Sequence, residues 1–266
     1  MKNIWQKLPA WIKAILLNIV LLFPIVILNQ LIVQLNLKFS PQFGWGLLLV
    51  LATLYLYWNL VRKWNPFKGE KDIKLSLAFD LTDFSNILDC IGLGIFTFSI
   101  ISLGFIIFDV QESQQLQFIY GFSNLGPLTA IPLLLALALT AGLVEEVTYR
   151  GFIQNTTHKK YSRILSYVII GSLFSLLHFL PWPLILPYAL VSIAYSIVAD
   201  RQRSIGLGVF THSLYDFIIF LLIYSDFFSF DNSEVESTTL GMYLILLVIG
   251  IYFIVKRKMP VVNNDS

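Results

Sequence analysis

Cysteine is nearly absent: one residue, Cys90, in a chain of 266. A lone thiol excludes an intrachain disulfide framework and a thiolate zinc cluster, and leaves the redox character of the compartment open. Charge is scarce as well. Asp, Glu, Lys and Arg make up 13% of the residues, whereas hydrophobic residues reach 57% and the mean hydropathy is +0.75. Soluble domains carry about 25% charge on about 45–50% apolar residues, so a water-soluble globule is excluded. The net charge of +2 excludes a nucleic-acid binder, whose affinity comes from neutralising many phosphates. No internal repeat, low-complexity tract or heptad pattern stands out.

What the chain has in quantity is long apolar runs. A hydrocarbon core about 30 Å thick takes about 20 mainly apolar residues per helical crossing, with about 17 as the shortest. Eight runs approach or meet this: Ala14 to Leu35, Phe43 to Val61, Ile91 to Phe108, Leu125 to Val144, Ile164 to Leu180, Leu184 to Ala199, Ile205 to Tyr224 and Leu240 to Val255. The sixth and eighth have 16 residues each. None alternates with period two over about ten residues, so backbone groups must pair within helices rather than in a barrel. The expected fold class is all-α: a polytopic membrane protein of about eight transmembrane helices around a polar intramembrane cavity.

Lys and Arg in the connections supply a separate test of this threading. Counted alternately along the connections, 17 fall on one side and Lys38 alone on the other. That bias implies an even number of crossings with both termini cytoplasmic, in a multi-pass protein that reads most simply as one of a bacterial plasma membrane. Trp5, Trp11, Trp45, Trp58, Trp64 and Trp182 all fall near expected helix ends, where an amphipathic ring suits the headgroup layer. The first run has no small-residue cleavage site and is read as a retained helix. The longest connection, Asn65 to Cys90, mixes charged and apolar residues, as a cytoplasmic loop partly lying on the membrane surface does. Three parts are expected: residues 1–120, N-terminal helices with that amphipathic loop; 121–256, a helix bundle that holds the polar residues; and 257–266, a flexible tail.

Against this background Glu145, Glu146, Arg150 and Asp216, with His178 and His212, stand where lipid is expected. Each charge at a helix centre costs about 2.5–3.5 kcal/mol on insertion scales, so these groups must be paired or wetted. The stretch EEVTYRGFIQ continues the fourth run without a breaker, which puts Glu146 and Arg150 at i and i+4 on one face. Glu145 lies about 100° round that helix with no base at i+3 or i+4, so its partner must come from another helix. Helices four and five turn near residues 158–163, which sets Glu145 level with His178 in an antiparallel hairpin. Phe174, at i−4, shares the face of His178. His212 and Asp216 repeat the i, i+4 arrangement roughly 14 and 20 Å from Arg203, near the depth of Glu145, about 21 Å from Lys159. Taken singly, each motif also reads as a structural ion pair, a core histidine or a polar stitch between helices. Three at one depth share no such explanation easily.

EEVTYR (Glu145 to Arg150), FSLLH (Phe174 to His178) and HSLYD (His212 to Asp216) resemble the EExxxR, FxxxH and HxxxN/D signatures of the CAAX protease and bacteriocin-processing family. Its members are intramembrane proteases, also called abortive-infection family proteins or type II CAAX prenyl endopeptidases. The resemblance implies an endopeptidase in which Glu145 and His178 hold and deprotonate a water, with Glu145 the main base. Glu146 and Arg150, with Phe174, order the site, and His212 with the residue four later binds the oxyanion. Asp216 stands where many members have asparagine, and an ionised carboxylate repels an oxyanion. Family members are often described as metalloproteases, which keeps zinc open on Glu145, His178, His212 and Asp216. The glutamate mechanism without a cofactor is favoured, since no H-E-x-x-H helix is present.

The implied substrate is a membrane-embedded or lipidated peptide, prenylated or a leader, met in the lipid bilayer; no nucleic acid is involved. Two other readings stand beside the enzyme: a non-catalytic membrane adaptor or bacteriocin-immunity factor of the same family, and a proton-coupled transporter. The transporter reading predicts paired halves with similar broken helices, which the sequence does not show.

Overall fold

The computed structural model describes residues 7–69, 71–79, 83–108, 121–178, 180–225 and 237–256. Trp5, Arg257, Lys258 and the expected tail lie outside the described residues. Each of the eight apolar runs folds as a helix: α1 Ala10–Phe39, α2 Gly46–Trp64, α3 Phe84–Ile107, α4 Pro127–His158, α5 Arg163–Leu176, α6 Trp182–Gln202, α7 Gly206–Tyr224 and α8 Ser237–Val255. Among the described residues there is no sheet; an isolated bridge pairs Lys74 with Ser204. The chain is an all-α, multi-pass membrane protein.

Five helices, α1, α3, α4, α6 and α7, are long and apolar enough to cross a bilayer. The sixth run, only 16 residues of unbroken apolarity, gains its length from a 3-10 turn at Trp182–Leu184 and from the polar residues after Ala199. α2 ends on Arg62 and Lys63, and α5 and the 239–255 part of α8 are shorter apolar helices. The fifth run was expected to reach Leu180, yet its helix stops at Leu176. Pro181, which disfavours the helical region at Leu180, lies four residues past the C-cap Leu177. α5 is therefore about 21 Å long at about 1.5 Å per residue, short of a full crossing.

Pro24 lacks an N–H and clashes with the carbonyl four residues back, a conflict that long helices absorb by widening a turn. α1 does so through a π turn at Asn18–Leu22. At its other end Asn36 folds the hairpin into α2: its amide donates to the Ser40 and Phe43 carbonyls, and its oxygen accepts from Gly46 N–H at 2.6 Å. α4 lies between α7 on one side and the α1–α2 hairpin on the other, α5 packs along α6, and α8 packs along α3. The outer faces carry many exposed large side chains, such as Leu48, Tyr55, Leu56 and Val248. Apolar exposure on this scale suits hydrocarbon, not water.

In the connection after α2, residues 71–79 form a strap over the ends of α4, α6 and α7. Ile73 is fully buried, and Asn155 accepts from its N–H at 2.9 Å and donates to its carbonyl at 3.0 Å. Arg203, in the left-handed region at φ 52°, donates to the Lys71 carbonyl, and Phe79 meets Phe210 of α7. Apolar residues at positions 73, 75, 77 and 79 alternate with Lys74, Ser76 and Ala78.

Replacing Asn155 with Ala orphans both backbone groups of Ile73, at about 1–3 kcal/mol for each buried group. The expected result is a lower thermal midpoint in detergent together with faster proteolytic cleavage within 71–79. An unchanged digestion pattern rules out the strap's dependence on this clamp.

Candidate active site

The site begins where α4 changes its winding. After Glu146 the helix runs as a π helix over Val147–Gln154, and every one of those residues is buried. π segments are rare and widen the turn, which shifts side chains relative to an α helix. Glu146 and Arg150 still meet, Arg150 Nη1 donating to Glu146 Oε1 at 2.9 Å, with the two side chains 0% and 1% exposed. The same oxygen receives His212 Nδ1 of α7 at 3.0 Å. Arg150 Nη2 turns to α6 and donates to the Ser192 carbonyl at 3.0 Å and to its hydroxyl at 3.1 Å. The rings of Tyr149, Phe174 and Tyr195 surround the guanidinium, with centroids 5.4–5.9 Å from Cζ, a desolvated cation–π setting.

Glu145 points the other way, toward two histidines. Its Oε1 is 3.7 Å from His178 Nε2 and its Oε2 is 3.9 Å from His212 Nε2. The hairpin register thus sets Glu145 and His178 level. His178 is two residues past the end of α5, and its Nδ1 bonds the Phe174 carbonyl at 2.6 Å. A carbonyl only accepts, so Nδ1 carries the proton and Nε2 presents its lone pair to the glutamate. The early stop of α5 is what makes this possible, because the last carbonyls of a helix lack intrahelical donors. Asp216 Oδ2 stands 3.6 Å from His212 Nε2.

All of these groups line one cavity of about 530 Å³, whose wall is completed by apolar and polar side chains of α1, α3 and α6. Glu145, Glu146, Arg150, Phe174, His178, His212 and Asp216 are all on that wall. Among the described residues no group of three or more His, Cys, Asp or Glu side chains is arranged to hold a metal ion. The donors form a chain of pairs, with Glu145 between two histidines and His212 Nδ1 committed to Glu146. Each histidine turns its Nε2 toward Glu145 and anchors its Nδ1 on a protein acceptor, the Phe174 carbonyl or Glu146 Oε1.

Several contributors escape sequence reasoning. Ser192, Tyr188 and Tyr195 of α6 carry no motif, and the π winding has no signature in EEVTYRGFIQ. Two glycines set the spacing of α4 and α7. A Cβ at Gly142 stands 2.7 Å from the Ser213 nitrogen, and one at Gly208 stands 2.8 Å from Glu146 Oε2. Small residues at such crossings let two membrane helices approach closely. The run GLGVFTH offers that signal, since a glycine four residues before His212 shares its face.

Residues 127–218 match the family model described as Type II CAAX prenyl endopeptidase Rce1-like. The match covers about a third of the chain and runs from the start of α4 into α7, taking in all three motifs. No curated protein and no solved structure matches the chain.

Removing one partner of a buried ion pair strands the other and costs about 3–5 kcal/mol. Arg150→Ala is expected to lower the thermal midpoint in detergent accordingly. Arg150→Lys, which keeps charge but loses the fork to Ser192, is expected to fall between. A native midpoint in Arg150→Ala contradicts the pairing.

Proposed function

From a multi-pass membrane protein whose α4–α7 segment is CAAX-protease-like, we propose an intramembrane endopeptidase that hydrolyses a peptide bond with water activated by Glu145 and His178. One observation carries the reading: the Glu145 carboxylate lies between two imidazole Nε2 atoms, at 3.7 and 3.9 Å, on the wall of a cavity of about 530 Å³. At 3.7 Å the Glu145–His178 pair is too far apart for a direct hydrogen bond and suits one bridging water. That water donates one proton to each base. As its oxygen attacks the carbonyl carbon, Glu145 takes a proton and then delivers it to the leaving amine as the C–N bond breaks. Glu145 Oε2 has no hydrogen-bond partner among the described residues, so the carboxylate is not committed elsewhere.

The tetrahedral oxygen needs a donor. His212 already gives Nδ1–H to Glu146, so donation from Nε2 requires the imidazolium. Its counter-charges are Glu145, Glu146 and Asp216. Asp216, at 3.6 Å, is beyond hydrogen-bond range of Nε2 and leaves that N–H to the oxyanion. In this role Asp216 acts through the charge of His212 instead of touching the oxyanion, which removes the conflict with a carboxylate at this position. No step runs through a metal.

The substrate is a membrane-associated peptide, prenylated or a leader. The cavity is within the range of about 300–1,000 Å³ typical of ligand pockets. The count of 17 of 18 Lys and Arg on one side of the eight-crossing threading supports a reading with both termini cytoplasmic.

Cells carrying the native chain are expected to contain membrane peptides that vanish with Glu145→Ala or His178→Ala at equal protein abundance, a loss of at least about a hundredfold. Identical peptidomes reject the enzyme and leave the adaptor reading. Cleavage of any such peptide by the purified protein is expected to persist after dialysis against a strong chelator. Loss that zinc restores overturns the metal-independent mechanism.

A further inference from the structure

Two amides of α1 on the cavity wall take no part in the mechanism above. Gln30 and Gln34 both line the cavity, both are exposed, and among the described residues neither side chain has a hydrogen-bond partner. Their place on the helix is a border. Ile27, Leu31 and Leu35, one position along from that row, are exposed apolar side chains, whereas Asn29 and Val33, one position back, are buried. Val26, Gln30 and Gln34 form the i, i+4, i+8 row between these two faces and stand on the cavity wall. Polar groups at such depth are costly, and those that membrane helices keep mark a pathway or a partner.

The height of the amides follows from neighbouring bonds. Asn29 donates to Thr140 and Thr129 donates to the Pro41 carbonyl, so α1 runs antiparallel to α4 with Gln30 near the level of Thr140. Thr140 precedes Glu145 by five residues. At about 1.5 Å per residue Gln30 is therefore about 7.5 Å from Glu145 along the helix axis, and Gln34 about 6 Å further toward the Pro127 end of α4. An extended peptide advances about 3.3 Å per residue and presents N–H and C=O on one edge at every second residue, about 6.6 Å apart. One turn of α1 matches that repeat, and each primary amide carries both a donor and an acceptor. A peptide that lies over Glu145 and runs along α1 thus meets Gln30 about two residues from the cleaved bond and Gln34 about four residues from it. Lipid satisfies no strand edge, so a peptide drawn out of helical form here takes its hydrogen bonds from the protein.

We propose that Gln30 and Gln34 form a rail for peptide backbone, each amide pairing with the N–H and C=O of one residue of an extended substrate on one side of the cleaved bond. The rail rests on the endopeptidase reading and adds a substrate requirement to it: an extended main chain reaching about four residues beyond the bond, of any side-chain sequence.

The test uses the full chain with Gln30→Met, Gln34→Met and both together, since Met keeps the length of the side chain and removes the amide. In detergent the thermal midpoints are expected to equal or exceed the native value, because no internal bond is lost. A clear fall assigns the amides an internal structural partner and overturns the proposal. In cells, peptides that depend on Glu145 are expected to drop at least about tenfold with the double variant at equal protein abundance. Leu31→Met, on the neighbouring exposed row, is expected to leave them at native levels; an equal drop there assigns the effect to α1 as a whole and overturns the rail. If the peptides persist with the double variant, the rail is rejected while the endopeptidase stands. If native and Glu145→Ala cells yield the same peptides, the endopeptidase reading falls and the rail falls with it.

Discussion

Oε1 of Glu146 accepts from two donors on different helices, Arg150 Nη1 at 2.9 Å and His212 Nδ1 at 3.0 Å. In hydrocarbon no water can take over for either donor, so this one oxygen fixes the distance and rotation between α4 and α7. Arg150 extends the constraint to α6 through Ser192. Three helices are thus tied at one level, and the geometry of every other polar group follows. Gly208 belongs to the same constraint, since a side chain there collides with the carboxylate. Buried ion pairs contribute little net stability when compared with apolar packing. Here the pair defines a register that apolar side chains, which slide past one another at small cost, do not.

The division of labour between adjacent glutamates follows from helix geometry. Neighbouring positions point about 100° apart, so Glu146 meets Arg150 and His212 at the α4–α6–α7 junction while Glu145 turns to His178 across the cavity. One takes two donors on a single oxygen and the other faces two Nε2 atoms. The contrast supports the proposed roles without any appeal to titration: the Glu146 carboxylate is held by Arg150 at 2.9 Å, whereas Glu145 has no contact shorter than 3.7 Å to either histidine. The truncated α5 supplies the second half of the proposed water site. A helix that crossed fully keeps its carbonyls bonded internally, and a histidine at its middle finds no Phe174 carbonyl to fix its tautomer.

Much of this was legible in the chain. The eight apolar runs, the i, i+4 pairs and the symmetry of residues 145 and 178 about the 158–163 turn are local or one-dimensional facts, and they survive folding because lipid forces helices to run in register with the bilayer. What stayed hidden depends on three-dimensional partners. The end of α5 at Leu176, five residues before Pro181, has no signal in a run that hydropathy carries on to Leu180. The strap reads equally well as a surface amphipath, because alternation alone does not say whether lipid or protein receives the apolar side. The π winding after Glu146 and the contributions of Ser192 and Tyr195 emerge only when α6 is laid against α4.

The segment that carries the motifs does not enclose the site by itself. α1 and α3, both before residue 127, supply cavity wall through side chains such as Gln30, Gln34 and Thr97. Asn29 of α1 donates to Thr140 of α4 at 3.0 Å and accepts from Thr53 of α2, so the N-terminal hairpin is fastened to α4 by polar bonds. Without these helices Glu145 and the two histidines face acyl chains, where neither a bridging water nor an ionised carboxylate is tolerated. The N-terminal helices therefore do for this site what a closed lid does for a soluble enzyme. They set the boundary between water and lipid, and on that boundary the chemistry assigned to Glu145 depends.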